Sequence, residues 1–254
     1  MTPQSQLYLD RIGYLGTTAP TIHTLEALQV CHLKTVPFEN LDIHFHVPID
    51  FMNSFEKVVK RNRGGFCYEL NYLFCGLLKQ LGYTAILISA RAFDKQKGYG
   101  PEFDHMAIIA TINDHEYLAD VGFGEFAFHP LKVEIDKEIT DPRGVFRLRD
   151  FDNGYLAVEK KNRDGDFVPE YIFTKKERQP EEFADMCHYH QTSSESHFTR
   201  KRLCSLPTDE GRITLTGNTL KISTQDDIFE KEIENEAGVD KILWDYFKIK
   251  IIKT

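Results

Sequence analysis

The chain is poor in cysteine and in positive charge, and it holds no long apolar run. Its five cysteines, Cys31, Cys67, Cys75, Cys187 and Cys204, form no C-x-x-C pair and no even-numbered framework, so they read as reduced thiols. Against 39 Asp and Glu stand 31 Lys and Arg, a formal net charge of -8. That deficit excludes the cationic surplus that grips a phosphate backbone, and no nucleic-acid partner is expected. It also removes long-range attraction for an anionic small molecule, so a phosphate site must be built locally from backbone N–H groups and a few cations. The longest apolar stretches, such as Ala85 to Ile88, are far too short to span a bilayer, and residues 1–10 show no basic region followed by an apolar run. A cytoplasmic location without a membrane partner is expected. Repeats and low-complexity linkers are absent as well.

What is present suits a packed globular protein: 254 residues, 41% hydrophobic and 28% charged, enough for one large domain or two to three small ones. The first third reads as helical, with a short segment from Leu7 to Tyr14 and then Leu25, Leu28 and Cys31 or His32 at helix spacing. The clearest helix follows Gly64-Gly65. Leu70, Leu73, Phe74, Leu77, Leu78 and Leu81 mark one buried face, and Gly82 supplies the stop. From Thr84 the pattern turns to short β-rich runs: Thr84 to Ala90, His105 to Thr111, Glu116 to Val121, Gly144 to Arg149 and Tyr155 to Lys160. A mostly antiparallel sheet or barrel is expected there. A polar stretch from His188 to Arg202 leads into a hairpin that sets Ile213 and Leu215 against Leu220 and Ile222 across Gly217-Asn218, and an amphipathic segment, Val239 to Phe247, carries the only tryptophan. Boundaries fall near residues 83 and 190.

Among residues that can carry chemistry, Cys67 opens a helix behind two glycines. Unpaired N–H groups and the macrodipole at that position favour a thiolate, and with an imidazole partner as well an ionisation well below the free-cysteine value of about 8.5 is expected; a packed structural thiol is the plainer alternative. His105 and Asp120 lie on two runs joined by Asn113-Asp114. If Ile112 pairs with His115, Asp120 faces Ala107 and His105 faces Gly122, which makes the two diagonal neighbours on one face, about 7–8 Å apart at Cα. An odd-length loop would separate them, and a half-buried strand histidine beside an unrelated aspartate stays open. Gly122-Phe123-Gly124 fits either a backbone cradle for an anion or a tight turn. Phe38, Phe66, Phe123, Phe126, Phe128 and Phe198 offer an aromatic pocket, although most aromatic side chains are core. His44 with His46, and His188 with His190, lack a cysteine or carboxylate at a familiar zinc spacing, so no metal is expected.

Four segments in order along nearly the whole chain resemble the arylamine N-acetyltransferases: Val36-Pro37-Phe38-Glu39-Asn40-Leu41, Arg63-Gly64-Gly65-Phe66-Cys67-Tyr68-Glu69-Leu70-Asn71, Asp104-His105-Met106 and Asp120-Val121-Gly122-Phe123-Gly124. His190 to Ser193 and Ser196 to Thr199 resemble the segment entering that family's third domain. The resemblance implies an α+β, cysteine-protease-like fold with an N-terminal helical bundle (1–83), a central antiparallel β-barrel (84–190) and a C-terminal α/β lid (191–254). It implies a Cys67, His105 and Asp120 triad, a coenzyme A loop at Gly122, Phe123, Gly124 and Phe126, and acceptor contacts at Phe38, Phe123 and Phe198. Acetyl-CoA would be the acetyl donor and an aromatic amine or hydrazine the acceptor, transferred by a ping-pong route through an acetylated cysteine; a homodimer is left open. Ser194 and His197 stand where that family usually has proline, and Phe247-Lys248-Ile249 lacks its usual glycine. The same triad also serves thiol hydrolases and transglutaminase-like enzymes, and an idle binding module could keep the fold.

Overall fold

The computed structural model describes residues 2–224 and 226–251. Helix α1 (Pro3–Arg11) starts where the Thr2 hydroxyl accepts the N–H of Ser5, and α2 (Ile22–Thr35) buries Leu25, Leu28 and His32 on one face. Cys31 is the half-buried neighbour. After the short α3 (Leu41–His44) comes α4 (Cys67–Gln80), ended by Gly82 at a φ of +92° that L side chains rarely adopt. These helices share one apolar core, in which Phe66, Leu70, Phe74 and Leu78 of the α4 region meet Leu25, Leu28 and Met106.

Strands β1 (Phe38–Glu39), β2 (Thr84–Asp94), β3 (Gly98–Tyr99), β4 (His105–Ile112), β5 (His115–Ala119), β6 (Leu131–Lys132), β7 (Ile139–Asp141), β8 (Gly144–Asp150), β9 (Leu156–Lys161) and β10 (Phe167–Phe173) follow in chain order. Except for β1, they form an antiparallel sheet in the order β6-β5-β4-β2-β10-β9-β8-β7, with β3 on β2, which curls into a barrel around Ile88, Ile109, Phe126, Phe146, Leu148 and Tyr171. The β4–β5 hairpin has the expected register, Ile112 opposite His115 and Ile108 opposite Ala119, because Asn113 (φ +48°) and Asp114 (φ +62°) form a two-residue turn that matches strand twist.

Helix α5 (Ala184–Thr192) crosses residue 190, in a stretch too polar to show its face. Strands β11 (Leu203–Pro207), β12 (Gly211–Thr216), β13 (Thr219–Thr224) and β14 (Ile228–Glu232) form a second antiparallel sheet whose first strand is β1, contributed by the N-terminal part. The register sets Ile213 against Ile222 and Leu215 against Leu220, and α6 (Glu236–Phe247) closes that core with Val239, Leu243 and Phe247. Trp244, on the outer face of α6, stays exposed. Among the described residues no helix is long and apolar enough to cross a membrane.

Candidate active site

The turn before α4 is held by buried charge. Side chains of Glu39, Asp42 and Glu69 surround Lys57, whose Nζ lies 2.7 Å from Asp42 and 2.9 Å from Glu69, while Arg63 reaches Glu39 and Asp42 at 2.7 Å each. Glu69 also accepts the N–H of Phe66 at 2.8 Å, capping the helix start where donors lack partners. Gly64 must be glycine: a Cβ there would fall 2.2 Å from the Pro37 carbonyl oxygen and 2.7 Å from the Glu39 side chain. Cys67 is thereby placed at the first turn of α4, almost wholly buried.

Opposite it, His105 Nε2 sits 2.7 Å from Asp120 Oδ2, both side chains being out of solvent. The diagonal geometry expected from the hairpin brings them together although β5 ends one residue before Asp120. The carboxylate accepts five hydrogen bonds: Oδ1 takes Asn71 Nδ2 (2.9 Å) and the N–H groups of Gly122 (2.9 Å) and Phe123 (3.0 Å), and Oδ2 takes His105 and the Tyr171 hydroxyl (3.3 Å). Because every partner donates, His105 is assigned its proton on Nε2, which leaves Nδ1 as the ring acceptor. Burial first, then the charge of Asp120, pushes the Tyr171 phenol well above its usual range, so it remains a donor.

Gly122 is the second obligatory glycine. A Cβ on it would lie 2.7 Å from Asn71 Nδ2 and 2.8 Å from the Cys67 Cα, so the turn after Asp120 passes directly over the start of α4. Asn71 ties the two sides together, donating to the Met106 carbonyl at 2.6 Å and accepting the Val121 N–H at 3.0 Å.

Cys67 and His105 line one pocket of about 350 Å³ with Phe38, Gly122, Phe123, Gly124 and Phe198. Phe66 packs edge-on against Phe198, with 4.6 Å between ring centroids, and backs the pocket wall. Phe126 departs from the sequence expectation: it is 1% exposed in the barrel core, 6.2 Å from the Tyr171 ring, and lines no part of this pocket. The chain after Gly124 turns inward, and the aromatic ring follows the apolar interior.

The surroundings of the thiol work against its ionisation. Burial pushes Cys67 well above the ordinary thiol range, and nearby Cys187 (when ionised), Asp104 and Asp120 add to the shift; only the Tyr68 N–H at the helix start opposes them. The helix terminus alone is too weak against desolvation.

Sequence reading assigned no role to Asn71, although it stands four residues from Cys67 and therefore on the same helix face. Tyr171 and Gln29 gave no signal, and His190 stood out only as half of a histidine pair and in the segment resembling the family's entry to its third domain. Gln29 braces the backbone of Asp120 and Ala127 from α2, and His190 Nε2 lies 3.2 Å from Asp104. The histidine pairs diverge: His44 faces the Phe198 carbonyl at 3.1 Å and His190 is buried, whereas His46 and His188 are exposed. Among the described residues no three His, Cys, Asp or Glu side chains converge as metal ligands.

A helical part that carries a thiol at a helix head, sharing a pocket with a histidine–carboxylate pair on a β-barrel, defines a cysteine-protease-like fold. A family model for N-acetyltransferases matches residues 21–254. The arylamine N-acetyltransferase of Gallus gallus, pineal gland isozyme NAT-3, is 31% identical over 97% of this chain and 94% of its own length. Arylamine N-acetyltransferase 1 of Homo sapiens is also 31% identical, with the same coverage. The solved arylamine N-acetyltransferase of Mycobacterium marinum in complex with CoA is 29% identical and superposes with a TM-score of 0.87, covering 96% of this chain and 92% of that one. The chain belongs to the arylamine N-acetyltransferase family, a family of acyltransferases.

Proposed function

We propose that this protein transfers an acetyl group from acetyl-CoA to aromatic amines and hydrazines by a ping-pong route through acetyl-Cys67. The observation that carries this reading is the His105–Asp120 pair, 2.7 Å apart, in the same pocket as Cys67. His105 takes the thiol proton at Nδ1, and Asp120 balances the imidazolium from the Nε2 side. The sulfur attacks the acetyl carbonyl, the bond to the coenzyme A sulfur breaks, and the departing thiolate takes the proton from His105. The amine nitrogen then attacks the acetyl-cysteine, the Cys67 sulfur leaves, and His105 receives the proton from nitrogen.

An aromatic amine is weakly basic and neutral at pH 7, whereas an alkylamine, like lysine with a pKa of about 10.4, is mostly protonated and has no lone pair to offer. The rings of Phe38, Phe123 and Phe198 are suited to hold a flat apolar acceptor. The backbone at Gly122 to Gly124 is the part of the coenzyme A loop that reaches the pocket, and the complex formed by the Mycobacterium marinum relative supports coenzyme A as the donor's carrier. On this reading residues 1–83 supply the nucleophile, 84–190 the base and its carboxylate, and 191–254 the lid, in a cytoplasmic enzyme. Initial rates with acetyl-CoA and an aromatic amine are expected to give parallel double-reciprocal plots. Intersecting plots, or equally fast thiol release without amine, would contradict the proposal.

A further inference from the structure

The segment that enters β4 is held in an uncommon conformation. Phe103 has a φ of +64°, in the left-handed region that an aromatic residue rarely adopts, and its neighbours fix it there. The Ser89 hydroxyl accepts its N–H at 2.8 Å, the Tyr68 hydroxyl donates to its carbonyl at 2.8 Å, and its ring meets Phe183 edge-on with 5.2 Å between centroids. Asp104 follows, and it lines the pocket that holds Cys67 and His105. Gly100 leaves room for the carboxylate: a Cβ there would fall 2.6 Å from Asp104 Oδ2.

This carboxylate has no cation of its own. Among the described residues no lysine or arginine lies within 4 Å of it, and its close partner is the buried His190 of α5. His190 Nε2 stands 3.2 Å from Oδ1 without the alignment of a hydrogen bond, so neither oxygen of Asp104 receives a donor from the described residues. The other charges of the pocket are cancelled or switched off. Glu125 and Arg212 face each other at 3.7 Å, and burial holds His197 below its usual range, so that ring is neutral at pH 7. The remaining walls are apolar, formed by Phe38, Ala92, Phe93, Phe123, Phe198 and Leu203.

We propose that Asp104 selects the acceptor: its carboxylate takes a second hydrogen-bond donor of the aromatic amine, an ammonium group above all, and rejects acceptors that carry a carboxylate. The inference rests on the acetyl-transfer reading above and deepens it by naming the acceptor's second group. A fixed negative charge between apolar walls acts through little water, so an ammonium gains and a carboxylate loses far more there than at an open surface. A donor bound to an ionised oxygen also forms the stronger class of hydrogen bond. The alkylammonium stays protonated at pH 7 and serves as the handle, while the neutral aromatic nitrogen is left to attack. Asp104 is thus a specificity residue, distinct from Asp120, which serves His105.

The test compares three anilines of similar shape on the whole protein with acetyl-CoA: 4-(2-aminoethyl)aniline, neutral 4-ethylaniline and 4-aminophenylacetate. Selectivity is a ratio within one enzyme, so an effect of a substitution on Cys67 or His105 themselves cancels. The wild type is expected to favour the ammonium acceptor over the carboxylate acceptor by about a hundredfold in kcat/KM, with 4-ethylaniline between them. Asp104→Asn is expected to bring that ratio down to about threefold, and Asp104→Ser serves the same purpose if the first variant fails to fold. A wild-type preference for the carboxylate, or a ratio that survives the substitution, would overturn the assignment. Acetylation of 4-ethylaniline scores the proposed function separately: if it occurs and the three acceptors react alike, the function stands and the selection falls. If no aniline is acetylated the function falls, and protection of Cys67 from iodoacetamide reads the same preference. Protection by the ammonium amine at about tenfold lower concentration than by the carboxylate, lost in Asp104→Asn, keeps the selection, and equal protection removes it.

Discussion

Cys67 is surrounded by groups that oppose its ionisation, and on the proposed mechanism His105, in the same pocket, must supply what the helix terminus does not. Burial raises the thiol, and Asp104 and Asp120 repel a negative sulfur, so a thiolate is affordable only as a partner of the His105 imidazolium. In the wild type, iodoacetamide should alkylate Cys67 well below the free-thiol value of about 8.5. In His105→Ala the raised thiol keeps its proton through neutrality, and the rate should climb only above that value. Equal midpoints in the two proteins would show that His105 carries no part of the ionisation. Gly122 makes a related point at the same scale, since its missing Cβ is the space occupied by the Cys67 backbone and Asn71.

At the scale of elements, the start of α4 depends on Lys57 standing among Glu39, Asp42 and Glu69, whose side chains are 0%, 9% and 2% exposed. Removing the cation leaves buried carboxylates uncompensated, and breaking such a group typically costs about 3–5 kcal/mol. Lys57→Met should lose stability of that order in urea unfolding at pH 7; a loss under about 1 kcal/mol would mean that solvent already screens the cluster. Lowering the pH separates its members. Lys57 and Arg63 hold Asp42 below the usual carboxylate range, so its contribution is present above about pH 4 and is lost as pH falls through the folded value. Glu69 is raised by burial, so its sign is opposite and protonation favours the folded state.

Elements whose order is local were legible in the sequence. The β4–β5 hairpin follows from Asn113-Asp114, and α4 follows from its leucines and Gly82. Strand β10 was not legible because Pro169 interrupts it. It pairs with β9 over its whole length but with β2 only from Tyr171 to Phe173, so the missing N–H at Pro169 faces no neighbour and a bulge at Glu170 absorbs the extra residue. Phe126 misled because aromatic content does not say which way a loop turns. The five donors on Asp120 come from four parts of the chain: His105 was legible from the hairpin register and Asn71 lay one turn beyond Cys67, whereas nothing in the pattern pointed to Tyr171.

Across the whole molecule, the pocket takes Cys67 from the helical part, His105 from the barrel, and Arg212 from the second sheet, while β1 binds that sheet to the N-terminal part. No one part carries the chemistry. The most direct measurement of the mechanism is the intact mass after exposure to acetyl-CoA alone. One acetyl group should be added, peptide mapping should place it on Cys67, and an aromatic amine should discharge it as the acetamide. An adduct on Cys31, Cys75, Cys187 or Cys204, or one that survives Cys67→Ala, would contradict the mechanism.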